Sequence, residues 1–516
     1  MTKHGMDLTG GLMRAALVGI LAAAGTFAAT IGDAAAGGHK KIVATDAFSP
    51  QAGWALETDD AFILSRAGCL EALTRREADG SLKPALAESW TRHSPTEWDF
   101  KLRSGVTFQD GTPLTAKIVS DALNALLTAT APPRPFSPKR IASVAVVDDT
   151  TVRIATPSPS VLVPMRVAAP NTGILSPAAF KGSAVDPVGH CTGPFEIVEH
   201  VPQQALKLKR NAAYWGGDVA LEVGELRFIP EGAGRATQLK TGEAQISTDL
   251  PISEVLALKS ASGIEIETIE QTRTTGLYLN NKKAPLDNVK VRRAIQSAVD
   301  ASAIAAAIYE GAARPAVGPF GPGDPWAPDD ASVVPFDKAK AVQLLKEAGV
   351  APGTLNLTLF AYVERTELPD LAAVIQAQLG DIGIGVELKV ANYGALEADL
   401  LAGNFDMLVL SRGYLSDVAD PIGFLTADYS CDGGYNLSQF CDPAIDAKID
   451  AAAAKESSAE RYALYKDIAR ELQSRAVTVF VIHQQRSDGS TDNVRNYRMH
   501  PDGHYLFTPD LNVSAN

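Results

Sequence analysis

Apolar positions recur along most of the chain at the spacings of short strands and amphipathic helices. Residues 41–45 read as a short strand and 61–73 as a helix. Leu102, Val106 and Phe108 lead through an Asp110-Gly111 turn into a helix whose apolar face is Val119, Leu123, Leu126 and Leu127, the spacing of one helical face. Residues 130–138 hold four prolines and predict a loop. Val152 and Ile154 alternate as a strand. Strand and helix signals mix without an internal repeat.

The pattern sharpens from Asp337, which caps a helix with the face Ala341, Leu344, Leu345 and Ala348 and the stop Gly349. A strand over 355–360 follows, then a helix with Leu371, Val374, Ile375, Leu379 and Ile382. The alternating strand Val386, Leu388, Val390, a helix over 396–401 and an apolar strand over 405–410 complete the run. Such a β-α-β-α-β succession predicts a wholly or mostly parallel sheet. Ser457 and Glu460 form a capping box for a helix bearing Tyr465, Ile468, Ala469 and Leu472, and 477–482 closes as a strand. Parallel sheets take ligands beyond the carboxyl ends of their strands, where the loop after Leu410 lies.

Lys3 and Arg14 precede an apolar run over 15–29 and the small-residue site Ala34-Ala35-Ala36. That is the pattern of a secretory signal peptide, assigned to 1–36. The run is shorter than the roughly 20 apolar residues a span requires. The first cysteine, Cys69, lies far beyond the cleavage point, so a free periplasmic protein without a lipid anchor is expected. The remainder is long enough for two or three domains. Its 46% hydrophobic and 21% charged residues are ordinary for a globular protein. The net charge of -13 argues against nucleic acid or an anionic membrane as partner.

Four cysteines in an exported chain can pair in three ways. Cys431 and Cys441 lie ten apart across Gly433-Gly434 and are paired, which leaves Cys69 with Cys191. The chain contains no C-x-x-C, H-E-x-x-H, G-x-S-x-G or P-loop pattern. No enzyme activity, cofactor or metal is therefore expected. Gly318, Gly321 and Gly323 lie among prolines and cannot open a phosphate-binding helix. His500 and His504 are four apart, but Pro501 and Gly503 break any helix that would align them, so a surface turn is expected.

Several ordered segments resemble the large extracytoplasmic solute-binding proteins of ABC importers for oligopeptides, dipeptides and nickel chelates (family 5, cluster C). They are Asp79-Gly80-Ser81-Leu82-Lys83-Pro84-Ala85-Leu86-Ala87-Glu88-Ser89-Trp90, Trp98-Asp99-Phe100-Lys101-Leu102-Arg103, and Val106-Thr107-Phe108-Gln109-Asp110-Gly111-Thr112-Pro113-Leu114-Thr115-Ala116. Thr192-Gly193-Pro194-Phe195, Asn211-Ala212-Ala213-Tyr214-Trp215-Gly216-Gly217, Leu279-Asn280-Asn281 and Val291-Arg292-Arg293-Ala294-Ile295 continue the likeness. The resemblance implies an α/β, two-lobed periplasmic binding protein of type II with an extra subdomain in the first lobe. Lobe I would comprise 37–271 plus 482–516, with an inserted subdomain over about 84–170, and lobe II 272–481. Hinge crossings are expected near 271–276 and 477–482. Trp90, Trp98 and Trp215 are expected in the core.

The segment Gly413-Tyr414-Leu415-Ser416-Asp417-Val418-Ala419-Asp420-Pro421 resembles the loop by which peptide-binding members hold their ligand. The resemblance implies that Asp417 pairs with a ligand ammonium and that Tyr414, with Gly413, lines the side-chain pocket. Asp420 reads as a turn residue before Pro421. A ligand carboxylate would need an arginine fork, expected at Arg365 or at Arg134 in the proline-rich loop. Phe48 and Phe62 are expected pocket walls. The implied ligand is a small peptide-like molecule with a free amine, captured by hinge closure and passed by a monomer to ABC importer membrane subunits. A nickel chelate or opine-type metallophore is the alternative. The Cys431–Cys441 bond would stiffen the support of Asp417, as in dipeptide-binding relatives.

Overall fold

The computed structural model describes residues 40–182, 184–310, 312–365 and 367–514; the signal segment expected over 1–36 lies outside them. A mixed 11-stranded sheet runs through the described residues. In lobe I it is built on the strand Lys41–Asp46, flanked in parallel by Val223–Phe228 and Ile246–Ser247. Ile42, Val43 and Ala44 are buried in succession, as a strand covered on both faces requires.

Lobe II contains the expected succession: Leu355–Tyr362, helix Glu367–Gly380, Ile384–Ala391, helix Tyr393–Leu401 and Met407–Gly413. Leu355–Tyr362 lies between the other two strands and is parallel to both. Two long strands, Ile264–Leu279 and Thr478–Thr491, join the lobes and run antiparallel to each other from Ile264 opposite Thr491 to Tyr278 opposite Thr478. The parallel expectation therefore holds for the lobe II trio and not for the whole sheet.

Pairing of the two long strands is irregular between Glu270 and Thr274. From Arg273 onward the first of them bonds to Met407–Gly413 of lobe II. The second bonds to lobe I at Gly489 and Ser490. Ile482 and His483 still pair with the short strand Arg314–Pro315. The first crossing thus falls at the start of the expected stretch, and the second falls later than 477–482.

Each lobe has its own apolar core. One draws on residues between 42 and 246 and between 494 and 511, the other on residues between 277 and 482. A separate 4-stranded antiparallel sheet, Ala87–Ser94, Glu97–Leu102, Thr151–Ala155 and Ser143–Asp148, carries the helix Ala116–Leu127 and forms the subdomain. Leu162 of the subdomain is buried in a third core with Phe320, Tyr414 and Leu415 of lobe II. The Val161 N–H donates to the Ala453 carbonyl at 3.1 Å.

Two local expectations change. The helix expected over 61–73 spans only Asp60–Arg66, because Gly68 takes φ +68° where a Cβ would lie 2.3 Å from the Phe507 carbonyl oxygen. The chain turns there into the Cys69–Cys191 disulfide. Trp90, Trp98 and Trp215 pack against the lobe I core from its edge and remain partly exposed. Their polar edges explain it: Trp98 Nε1 donates to the Ser160 carbonyl at 2.8 Å and Trp215 Nε1 to Glu71 Oε2 at 2.7 Å.

Candidate functional site

A cavity of about 570 Å³ opens between the lobes, within the range of small-molecule sites. Lobe I supplies Phe48, Phe62 and Leu506 as apolar wall, lobe II supplies Arg365 and Ser416, and the crossing strand supplies Gln271 and Arg273. Most charged groups on the wall are already matched. Asp46 pairs with Arg66 at 3.0 Å. Asp60 accepts the N–H groups of Gln51, Ala52 and Trp54, each at 2.9 Å. Arg486 grips Asp488 with two bonds of 3.0 and 2.6 Å, and the Tyr497 hydroxyl donates to the same carboxylate at 2.5 Å.

Arg273 and Arg365 differ. Among the described residues neither has a carboxylate partner, and Arg273 donates only to the Ser411 carbonyl, at 2.8 Å. Burial, and after it the neighbouring Arg365 cation, lowers Arg273 to about 9. At that value Arg273 stays charged at neutral pH. Two adjacent guanidinium groups on a cavity wall, neither bonded to an acid, form a ready receptor for a planar anion such as a carboxylate.

The structure places the expected site residues in two groups. Phe48, which is 52% exposed, Phe62 and Arg365 lie on the cavity. Asp417, Tyr414, Arg134 and Gly413 do not. Asp417 is held by Arg412 at 2.6 Å and Arg134 at 3.4 Å, and Arg412 also bonds the buried Asp428 at 3.0 Å. Burial alone would raise the Asp417 carboxyl, but Arg412 and Arg134 outweigh it and hold it below the usual range. A ligand ammonium would meet a carboxylate already enclosed by two guanidinium groups.

Tyr414 is a core residue: only 3% exposed, it stands edge-on to Phe320 at 5.4 Å and donates its hydroxyl to Asp324 at 2.5 Å. Burial pushes Asp324 up to about 6 in spite of that donor. Gly413 makes room for its neighbours, since a Cβ there would lie 2.1 Å from Ser416 Oγ and 3.4 Å from Arg273 Nη2. Arg134 lies over the Tyr435 ring at 4.3 Å and joins the subdomain to lobe II. Asp420 binds Arg461 at 3.0 Å and the Tyr465 hydroxyl at 2.5 Å, inside the fold. The Cys431–Cys441 bond closes the loop behind this corner. Arg273 was missed by sequence reasoning; it sits in no motif, and only the crossing strand brings it to the cavity.

Residues 81–436 match the model of bacterial extracellular solute-binding proteins, family 5. The chain is a family 5 solute-binding protein. Members of this family are the extracytoplasmic components of ABC importers, not enzymes, and the binding protein has the two-lobed type II fold. It is 29% identical over 455 residues to di/tripeptide-binding protein 2 of Pseudomonas aeruginosa, covering 81% of this chain and 84% of the relative. DppA of Helicobacter pylori, solved with the peptide STSA, superposes with a TM-score of 0.79 at 24% identity, over 91% of this chain and 98% of that one. NikA of Staphylococcus aureus, solved with Ni(L-His)2, gives 0.78 at 23%, over 92% and 100%. No helix among the binding protein's described residues is long and apolar enough to cross a membrane.

The histidine pair expected on a surface turn is buried in the binding protein. His500 and His504 are each 4% exposed, with rings stacked at 5.0 Å. With Asp502 they offer ligand atoms within 4.8 Å of one another. Asp502 and His500 are engaged, whereas both ring nitrogens of His504 are buried without a hydrogen-bond partner among the described residues. Asp502 takes Arg76 on one oxygen and the Thr272 hydroxyl on the other. His500 Nδ1 accepts the Asp502 N–H at 3.2 Å, and its Nε2 meets the Arg76 carbonyl at 3.3 Å. A cation would have to displace Arg76, so the cluster is read as a polar brace of the cavity floor.

Proposed function

We propose that this solute-binding protein captures a small peptide-like ligand, a di- or tripeptide with free termini, between its lobes and delivers it to the membrane subunits of an ABC importer. The observation that carries the reading is the pair Arg273 and Arg365, two cations on the cavity wall, neither bonded to a carboxylate among the described residues. A peptide's terminal carboxylate supplies the missing charge and fits the guanidinium fork. Phe48 and Phe62 offer apolar and aromatic surface to its side chains. The peptide names of the relatives agree with this chemistry.

The protein acts as an exported monomer, and it has no catalytic role. Closure rotates the lobes about the crossings at 270–273 and 483–489 and enfolds the ligand. Native mass spectrometry of purified protein, followed by calorimetry with dialanine and trialanine, tests the reading. A bound mass equal to a short peptide and heat release with either probe are expected. A nickel-containing adduct with no response to either peptide would overturn it in favour of the chelate alternative.

A further inference from the structure

A buried polar atom left without a hydrogen bond is costly, and a folded chain supplies a partner to nearly every one. His504 departs from this. Its side chain belongs to a residue only 4% exposed, and neither Nδ1 nor Nε2 has a hydrogen-bond partner among the described residues. The neighbouring His500 is fully engaged, one ring nitrogen with the Asp502 N–H and the other with the Arg76 carbonyl.

His504 lies where a ligand meets it. It lines the interlobe cavity beside Phe62, and it also lines a small recess that Leu415, Ser416, Asp417 and Val418 close from lobe II. The imidazole therefore stands on lobe I across from the loop that follows the strand Met407–Gly413. Its direction is fixed. The ring stacks on His500 at 5.0 Å with 15° between the planes, and Phe62 and Tyr505 flank it at 5.2 and 6.0 Å. Asp502, two residues before it, is tied to Arg76 and Thr272.

Burial, and after it His500, Arg76 and Arg66, outweigh the Asp502 carboxylate and keep the imidazole neutral at pH 7. A neutral imidazole has one N–H donor and one acceptor nitrogen. The main chain of a peptide offers a counterpart to each, a C=O and an N–H. A metal ion fits less well, because Asp502 and His500 are already engaged and His504 alone is free. From the two unpartnered nitrogens, the fixed ring and its place between the cavity and the lobe II loop, we infer that His504 is a specificity-determining residue that hydrogen-bonds a main-chain N–H or C=O of the bound peptide. The fold leaves the imidazole unsatisfied, and the ligand completes it. This assignment rests on the peptide reading above.

The test combines thermal melts with calorimetry of dialanine and trialanine for wild-type protein, His504→Phe, His504→Asn and His504→Gln. Phenylalanine keeps a ring for the stack and removes both nitrogens. Removing a buried polar group that has no partner is neutral or stabilising, so unliganded His504→Phe should melt no lower than wild type. Its affinity for the peptide that wild type binds should fall about 10- to 100-fold, because a polar group of the peptide is then enclosed without a partner. The asparagine amide reaches the place of Nδ1 and the glutamine amide that of Nε2, so one of these variants should bind within about fivefold of wild type and identify the nitrogen. Failure of both amides to restore binding would make His504 a structural residue and overturn the assignment. Unchanged affinity in His504→Phe would remove the assignment alone. Wild-type protein that binds neither probe would remove the peptide reading and the assignment with it.

Discussion

The corner around Asp417 and the wall around Arg273 are both rich in charge, and they differ in whether that charge is spent. At the corner, Asp417 and Asp428 close on Arg412, with Arg134 reaching across from the subdomain. At the wall, Arg273 and Arg365 line the cavity and neither bonds a carboxylate among the described residues. Neutralised charge in a dry setting holds structure together, whereas unmatched charge on a cavity implies a partner supplied from outside. Chain neighbours give no hint of this difference, since the corner carries the family-like loop and the wall carries no motif.

The comparison breaks most readily at Arg273. Arg273→Gln should reduce affinity for dialanine by about 2–5 kcal/mol, the scale for losing one partner of an enclosed charge pair. Dialanine amide, which lacks the carboxylate, should lose far less in the same calorimetric titration. Equal losses would remove the carboxylate subsite.

Removing the Cys431–Cys441 bond probes the corner. Closing a 10-residue separation stabilises by roughly 2.7 kcal/mol through the entropy of the unfolded chain. Urea unfolding of the Cys431→Ala, Cys441→Ala double variant should show about that loss. Its dialanine affinity should stay within a factor of about three, since the loop supports the corner and not the wall.

Acid should separate the two regions. His483, on the crossing strand near the wall, accepts the Val317 N–H on Nε2 at 3.1 Å and bonds Thr274 Oγ1 through Nδ1 at 3.0 Å. Burial, and after it Arg314, lowers it to about 4. A folded value below the unfolded one means that the imidazole's stabilising contribution is complete above about pH 6.5 and is lost as pH falls toward about 4. The cost at pH 5 is about 2 kcal/mol. Unfolding free energies at pH 7 and 5 should differ by at least that much, and His483→Gln should flatten the slope. Asp417, whose value is lowered, stays ionised over this interval.

The smallest effect is expected from Asp417→Asn. Arg412 keeps Asp428, so stability should fall by about 1–2 kcal/mol, read by urea unfolding. Preference for a free over an acetylated amine should not change. Loss of that preference would make the corner a ligand site after all.

Much of the fold is legible in local pattern alone. The apolar periods of 355–360, 386–390 and 405–410 form the parallel trio of lobe II. Asp337 and Ser457 cap the helices they announce. Both disulfides join the expected cysteines. The helix from Ala61 is shorter than its pattern because the contact that stops it, Gly68 against Phe507, spans most of the chain. At the site, Phe48, Phe62 and Arg365 lie on the cavity, while of the loop 413–420 only Ser416 lines it. Tyr414 stacks edge-on to Phe320 and shares a core with Leu162, both from remote segments, and no local pattern announces that.

By itself, the sequence determined which segments are strands and helices, where helices begin and which cysteines meet, because periodicity, capping and short loop closure are local physics. Tertiary structure alone decided which charges are neutralised and which are left for a ligand. Arg412 and Arg273 are both arginines on paired strands; one closes on two carboxylates and the other lines the cavity and bonds only a carbonyl. That outcome depends on the folded arrangement, which closes Arg412 on Asp417 and brings Arg134 to it from a distant segment, and there distance and desolvation, not residue type, set the worth of a charge.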